Sequence, residues 1–205
     1  MIIELDPKSI DTRKINQVVK HLQAGGIAIV PTDTIYAVVC NLHSPKGLNS
    51  LALFKNEKLN KLKFSLLFHD FSQLAAYTAP IERPIFRLLK NNLPGPFTFI
   101  LKANTQVAKL FSSSKTEIGM RISDNAILDA ILDALGQPLA STSLHHIEDE
   151  IRVYYSDPSE IYEHFSDKID VIVLGGIGLL THSTIVDCTE GNANITRQGL
   201  GILSE

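Results

Sequence analysis

The chain has 205 residues and a formal net charge of −3; 44% of it is apolar and 20% is charged, with 12 Gly and 9 Pro. That composition is ordinary for a globular protein and excludes intrinsic disorder, a collagen-like fibre and a repeat array. No apolar run reaches the ~18 residues of a membrane helix, and Met1 to Pro7 lacks a signal peptide's basic start and apolar stretch, so a cytoplasmic protein with a single domain over 1–205 is expected.

Helical and strand patterns alternate along the chain, which predicts an α/β fold. Ile2 to Leu5 reads as a short edge strand. Thr12 to Ala24 reads as an amphipathic helix with Ile15, Val18, Val19 and Leu22 on one face, capped by Asp11 and stopped by Gly25-Gly26. Ile27 to Val30 and Tyr36 to Cys40 read as buried strands. Ser44-Pro45 opens a helix that carries Leu48, Leu51, Ala52 and Lys55. Phe64 to Phe68 is the next strand, and Asp70 caps a short helix.

Pro84 to Asn92 has helix spacing, and Leu93-Pro94-Gly95-Pro96 is a hard turn. Phe97 to Lys102 alternates, with Phe97, Phe99 and Leu101 on one side and Thr98, Ile100 and Lys102 on the other. Ile118 to Ile122 is a strand. Ser123 is placed to cap a helix over Ala126 to Leu135, which Gly136 ends. Leu139 to Thr142 is a strand, and Asp157-Pro158-Ser159-Glu160 starts a helix. Val171 to Leu174, Thr184 to Val186 and Ile195 to Arg197 are late strands.

Cys40 and Cys188 are the only cysteines and sit in apolar contexts, which favours two buried thiols over a disulfide. No metal site is expected, because neither CxxC nor HExxH spacing occurs. Residues 1–144 carry 16 basic and 11 acidic side chains, while residues 145–205 carry 3 and 11. The densest basic stretch holds Lys46, Lys55, Lys58, Lys61 and Lys63 against Glu57 alone. It suits either a local anionic ligand or a solvated loop.

Five segments could carry chemistry. Pro31-Thr32-Asp33-Thr34-Ile35-Tyr36 leaves a buried strand, where open α/β sheets tend to bind ligands. Its hydroxyls could hold a carboxylate or phosphate, or Asp33 could simply brace a polar turn. Lys55, Lys61 and Lys63 could neutralise phosphates as point charges. Arg121 interrupts an apolar strand and needs either an acidic partner or an anionic ligand. Ser141, Thr142 and Ser143 end a strand with three hydroxyls. Arg197 precedes Gly199 after a late strand.

Other signatures are missing. There is no Walker A sequence and no G-x-S-x-G elbow, and Gly175-Gly176-Ile177-Gly178 lacks the dinucleotide-binding order. His145-His146 with Glu148 and Asp149 reads as an exposed acidic loop, not a metal site.

Taken in order, these segments resemble the YrdC/YciO family. The match runs through GGIAIVPTDTIYAV (25–38), LPGPFTFILKA (93–103), EIGMRI (117–122), QPLASTSL (137–144), STIVDCT (183–189) and ITRQG (195–199). The FTFILKA strand and the DCTEGNANITRQG segment look closest to the YciO branch. The resemblance implies a twisted, mixed parallel and antiparallel sheet with flanking helices and a concave basic face. It implies double-stranded RNA or tRNA as a partner and no membrane. In the synthase branch it implies L-threonylcarbamoyladenylate formation from ATP with Mg²⁺, L-threonine and bicarbonate, for tRNA threonylcarbamoyladenosine modification. The alternative is an RNA- or nucleotide-binding relative without synthase activity.

Carried onto this chain, Lys55 and Arg121 would be the catalytic cations. Thr32, Thr34 and Tyr36 would lie at the amino acid, with Lys61, Lys63 and Thr98 beside the ligands. Ser141, Thr142, Ser143, Ser183, Thr184 and Arg197 would contact the nucleotide. Two positions depart from the synthase pattern. Glu57 follows Lys55 and Asn56 where a K-x-R element has its Arg, and His145 follows Ser143 and Leu144 where an S-x-N element has its Asn. An acid facing the site at Glu57 would oppose nucleotide charge, and one pointing to solvent would not.

Overall fold

The computed structural model describes residues 1–61, 64–110, 117–144 and 154–204. Ten strands form one sheet: β1 (Ile2–Glu4), β2 (Ile27–Val30), β3 (Ala37–Asn41), β4 (Ser65–Leu67), β5 (Phe97–Lys102), β6 (Glu117–Arg121), β7 (Leu139–Ser143), β8 (Val171–Leu174), β9 (Thr184–Asp187) and β10 (Asn194–Arg197). Seven helices flank it: α1 (Thr12–Gln23), α2 (Pro45–Phe54), α3 (Phe71–Ala75), α4 (Arg83–Asn92), α5 (Thr105–Leu110), α6 (Ala126–Leu135) and α7 (Pro158–Phe165). The strand order is β1-β8-β2-β3-β7-β4-β6-β5-β9-β10. Parallel pairs (β1 with β8, β8 with β2, β4 with β6, β5 with β9) mix with antiparallel ones. The sheet is therefore mixed and open, as expected, and β1 is an edge.

Successive side chains along a strand point to opposite faces, and the two faces differ here. On one face Ile29, Val38, Leu66, Phe99, Met120 and Val186 join a core with Leu51 of α2, Leu74 of α3, Leu89 of α4 and Phe165 of α7. Each such fully buried large side chain contributes roughly 1.5–3 kcal/mol. On the other face Val30, Val39, Leu67, Leu139 and Val173 meet Val18 and Leu22 of α1 and Ile127, Ile131 and Leu135 of α6. These two helices cover that face around β1, β8, β2 and β3 and at Leu67 of β4 and Leu139 of β7. The same face continues across β7, β4, β6, β5 and β9 as Ser141, Ser65, Gly119, Thr98, Ile100 and Ile185, and there it lines a cavity. Ser141, Ser65, Gly119 and Ile100 lie in one row across the sheet.

The helix starts follow their caps. Asp11, Ser44, Asp70 and Asp157 each accept a backbone N–H in the first turn of α1, α2, α3 and α7. One expectation fails: α6 is capped by Asn125, whose side chain accepts from Leu128 N at 3.1 Å, and not by Ser123. Ser123 is used elsewhere, as described below. Helix α5 was not anticipated from the sequence. Tyr36 precedes β3 instead of starting it. Both cysteines are buried free thiols. Among the described residues no helix is long and apolar enough to cross a membrane.

Candidate functional site

The loop between β2 and β3 is tied by Thr32, not by Asp33. Thr32 Oγ1 donates to Ile35 O at 2.7 Å and accepts from Thr34 N at 3.0 Å. That leaves the Asp33 carboxylate able to reach another strand. Its Oδ1 accepts from Arg121 Nη2 at 2.8 Å and from Ser123 Oγ at 2.7 Å, and its Oδ2 accepts from Asp124 N at 3.2 Å. Ser123 Oγ also accepts from Asp33 N at 3.1 Å. Of the two partners expected for Arg121, the acidic one is present.

Arg121 Nη2 also donates to Thr34 Oγ1 at 3.0 Å. Burial pushes the guanidinium down from its ordinary value, and the Asp33 carboxylate beside it pushes back. An arginine stays protonated through such opposing effects. Its Nε is buried and has no partner among the described residues. An unsatisfied buried donor costs about 1–3 kcal/mol.

Arg121 lines a cavity of about 670 Å³ over the open part of the sheet. Lys55, Lys61, Thr98, Ser141, Thr142, Ser143, Ser183 and Arg197 line it too. The remaining candidates lie elsewhere. Thr34 is fully buried behind Arg121, and Thr32 is tied into its own turn. Tyr36 is a buried strut: its hydroxyl donates to Gly176 O at 2.7 Å and accepts from Gly175 N at 3.1 Å. Thr184 points away and donates to Gly201 O at 2.6 Å. Lys63 and His145 lie outside the described residues, as do His146, Glu148 and Asp149.

The walls are ordered by local chemistry. Lys55 caps the C-terminus of α2, and Asn56 follows in the left-handed conformation with φ 50. This turn brings Glu57 onto the cavity lining with Lys55. Across the cavity, Thr98 and Ser183 hydroxyls share a 2.7 Å hydrogen bond, and Arg197 Nη2 donates to Ser183 O at 2.9 Å. On the floor, Ser141 Oγ donates to Ser65 O at 3.1 Å. Gly119 keeps the floor open: a Cβ there would lie 2.9 Å from Thr98 Cγ2 and 3.0 Å from Ser65 Oγ. The arrangement offers hydroxyls below and cationic side chains at the sides. It suits an anionic ligand with several oxygens.

A family model described as Telomere recombination, for Sua5, YciO and YrdC proteins, matches residues 20–199. The chain belongs to the Sua5/YciO/YrdC family. The uncharacterized protein YciO of Escherichia coli K12 is 34% identical over 198 residues, covering 96% of this chain and 94% of YciO. The crystal structure of Escherichia coli YciO superposes with a TM-score of 0.88 at 32% identity, over 98% of this chain and 97% of that one. Sua5 of P. abyssi, solved in complex with L-threonine, superposes with a TM-score of 0.87 at 22% identity, over 97% of this chain and 57% of Sua5. At that identity the second likeness concerns the fold. The Sua5/YciO/YrdC sheet is thus this chain's sheet, with its helices on the same plan.

Sequence reading missed several lining residues. Ser65 and Gly119 follow from strand alternation beside Leu66 and Met120, a signal that was available. Glu117 lies two residues before Gly119 on the same face. Ile185 follows from alternation along β9 beside Thr184, while His182 lies before that strand and no sequence pattern marks it.

Proposed function

We propose that the cavity binds an adenine nucleotide and a small amino-acid carboxylate side by side, and that the chain makes or handles threonylcarbamoyl-AMP. The observation that carries this reading is the joint lining of one cavity by Lys55, Lys61, Arg121 and Arg197 with the hydroxyls of Thr98, Ser141, Thr142, Ser143 and Ser183. Sua5 of P. abyssi, which shares the fold, has been solved with L-threonine. In the synthase reaction, L-threonine and bicarbonate give a carbamate with loss of water, the carbamate oxygen attacks the α-phosphate of ATP, and pyrophosphate leaves. No covalent nucleophile is needed; the protein holds two anions close together and stabilises the charge between them. Lys55 and Arg121 supply that charge. Ser141, Ser143, Ser183 and Arg197, all on the cavity lining, contact the nucleotide in this reading. Thr32 and Thr34 contribute by holding Arg121 and the loop. Mg²⁺ comes in with the phosphates of ATP and stays bound largely through them and water.

Glu57 on the cavity lining favours a second reading, a nucleotide- or RNA-binding relative without synthase activity. Binding of double-stranded RNA or tRNA would draw on phosphate neutralisation, so its affinity would fall steeply with salt.

The test is a mixture of the protein with ATP, Mg²⁺, L-threonine and bicarbonate, read by mass spectrometry for threonylcarbamoyl-AMP and by pyrophosphate release. Multiple turnovers, lost in Lys55→Ala and in Arg121→Lys, establish the synthase. No product, with nucleotide still bound in the cavity, establishes the binding reading. No binding of nucleotide, L-threonine or RNA would overturn both.

A further inference from the structure

The sheet face away from the cavity is covered by helices whose outer sides differ in charge. Helix α4 turns Arg83, Arg87 and Lys90 outward, a stripe at i, i+4 and i+7 with no acidic residue in the helix. Helix α7 turns Glu160 and Glu163 outward and Asp167 follows in line, a stripe at i, i+3 and i+7. The exceptions stand at the stripe ends. Glu82 precedes α4, and Lys168 follows α7 with its Nζ 5.8 Å from the Phe165 ring of its own chain. None of the six stripe charges has an ion-pair partner among the described residues.

Leu89 of α4 and Phe165 of α7 pack on the same core, so both stripes face the same way. They are far apart. Helix α7 leads into β8, second in the strand order, and α4 leads into β5, eighth in it. At a strand spacing of about 4.8 Å these strands lie roughly 29 Å apart. Helix α2 lies between, against β2 and β3, with Phe54 beside Phe165 of α7. It holds Leu53 outward, 79% exposed, while Phe86 at 41% and Tyr162 at 46% flank the two stripes.

One chain cannot bring these stripes together, but two can. A two-fold axis lying along this face, midway between α4 and α7, turns a second copy over and sets its α7 on the first copy's α4. The same contact then forms a second time with the roles exchanged, which is the closure a symmetric dimer needs. The two stripes are of equal span, each about 10 Å of helix. We infer that this face is a dimer interface in which α4 of each copy docks on α7 of the other. Leu53 lies between the two contacts and is covered with them. Exposed ion pairs are weak singly, so the dimer is held by the set of them and is sensitive to salt. Both cavities point away from it and stay open.

Sedimentation equilibrium of the full chain over a wide range of concentration, at low and at high salt, tests this. A dimer should form at low salt and weaken about tenfold or more at high salt. Arg87→Glu and Glu163→Lys, the central members of the stripes, should each weaken it about tenfold or more, because like charges then meet twice per dimer. The double variant should regain the dimer. All these positions are exposed, so the variants should melt like the parent protein, and nucleotide binding in the cavity should not change. A monomer at low salt and high concentration overturns the inference. So does a dimer that neither single variant weakens, or a double variant that stays monomeric. A monomeric parent whose RNA binding is weakened by Arg87→Glu would make α4 a nucleic-acid surface instead.

Discussion

Arg121 Nη2 stands 2.8 Å from Asp33 Oδ1, across 88 residues of chain, with side chains 10% and 8% exposed. The pair joins the loop after β2 to the end of β6, strands that are not neighbours in the sheet. Removing one partner would leave the other charge buried and uncompensated, which costs about 3–5 kcal/mol. Asp33→Ala should therefore lose stability of that order in urea unfolding. Asp33→Asn keeps the shape and an acceptor oxygen and should lose less. Equal stability of Asp33→Ala and the parent protein would show that Arg121 finds another counter-charge.

Ser123 and Asn125 divide two tasks. Asn125 caps α6, and Ser123 bridges Asp33. Asn125→Ala should lower unfolding stability by about 1 kcal/mol, the ordinary cost of an N-cap, and leave ligand affinity unchanged. Ser123→Ala removes a hydrogen bond to a charged group, worth about 1.5–3 kcal/mol. It should also weaken binding at Arg121. Titration of both variants with L-threonine and AMP separates the two roles.

The elements were largely legible because each carries a local signal. Alternation marks β5, Pro45 and Pro158 open α2 and α7, and capping carboxylates mark α1, α3 and α7. Strand order across β3, β7, β4 and β6 was not legible, since it depends on contacts between distant segments. The same limit applies to the site. Sequence singled out Arg121 and the Thr32–Thr34 loop separately, but the bond between Asp33 and Arg121 exists only in three dimensions. For that reason Thr34 and Tyr36 read as ligand contacts, while the fold buries them as supports. Thr184 differs for a simpler reason: one residue along β9 reverses the face, so Ser183 lines the cavity and Thr184 does not.

Burial holds both thiols in their protonated form. It pushes Cys40 up to about 12 and Cys188 up to about 11, the latter helped by the Asp187 carboxylate. The thiolate is the reactive species, so a disulfide-exchange reagent should leave both cysteines untouched in the native protein at neutral pH and modify both after unfolding. The sign for stability follows. An acid whose value is raised by folding ionises first in the unfolded chain, so stability is intact below the ordinary value of 9.0 and falls as pH rises from there towards about 12. Denaturation midpoints measured across this range check the direction. Cys40→Ala should flatten the decline, because the more strongly shifted group is removed.

Gly119 sits on the cavity floor between Ser65 and Ile100, and its missing side chain is part of the site's shape. A Cβ at this position would press on Thr98 Cγ2 at 2.9 Å and on Ser65 Oγ at 3.0 Å. Both neighbours are side-chain ends, and the remaining space opens into the cavity, so the backbone of β6 can stay in place. Valine also suits a strand better than glycine does. Gly119→Val should therefore keep its circular dichroism spectrum and lose at most about 1–3 kcal/mol from local crowding. Its branched methyls would occupy floor that a ligand needs. Affinity for AMP and for L-threonine should drop about tenfold or more, the scale of one or two lost ligand contacts. Gly119→Ala should fall between the two. Unchanged affinity in a folded Gly119→Val protein would place the ligand away from this floor.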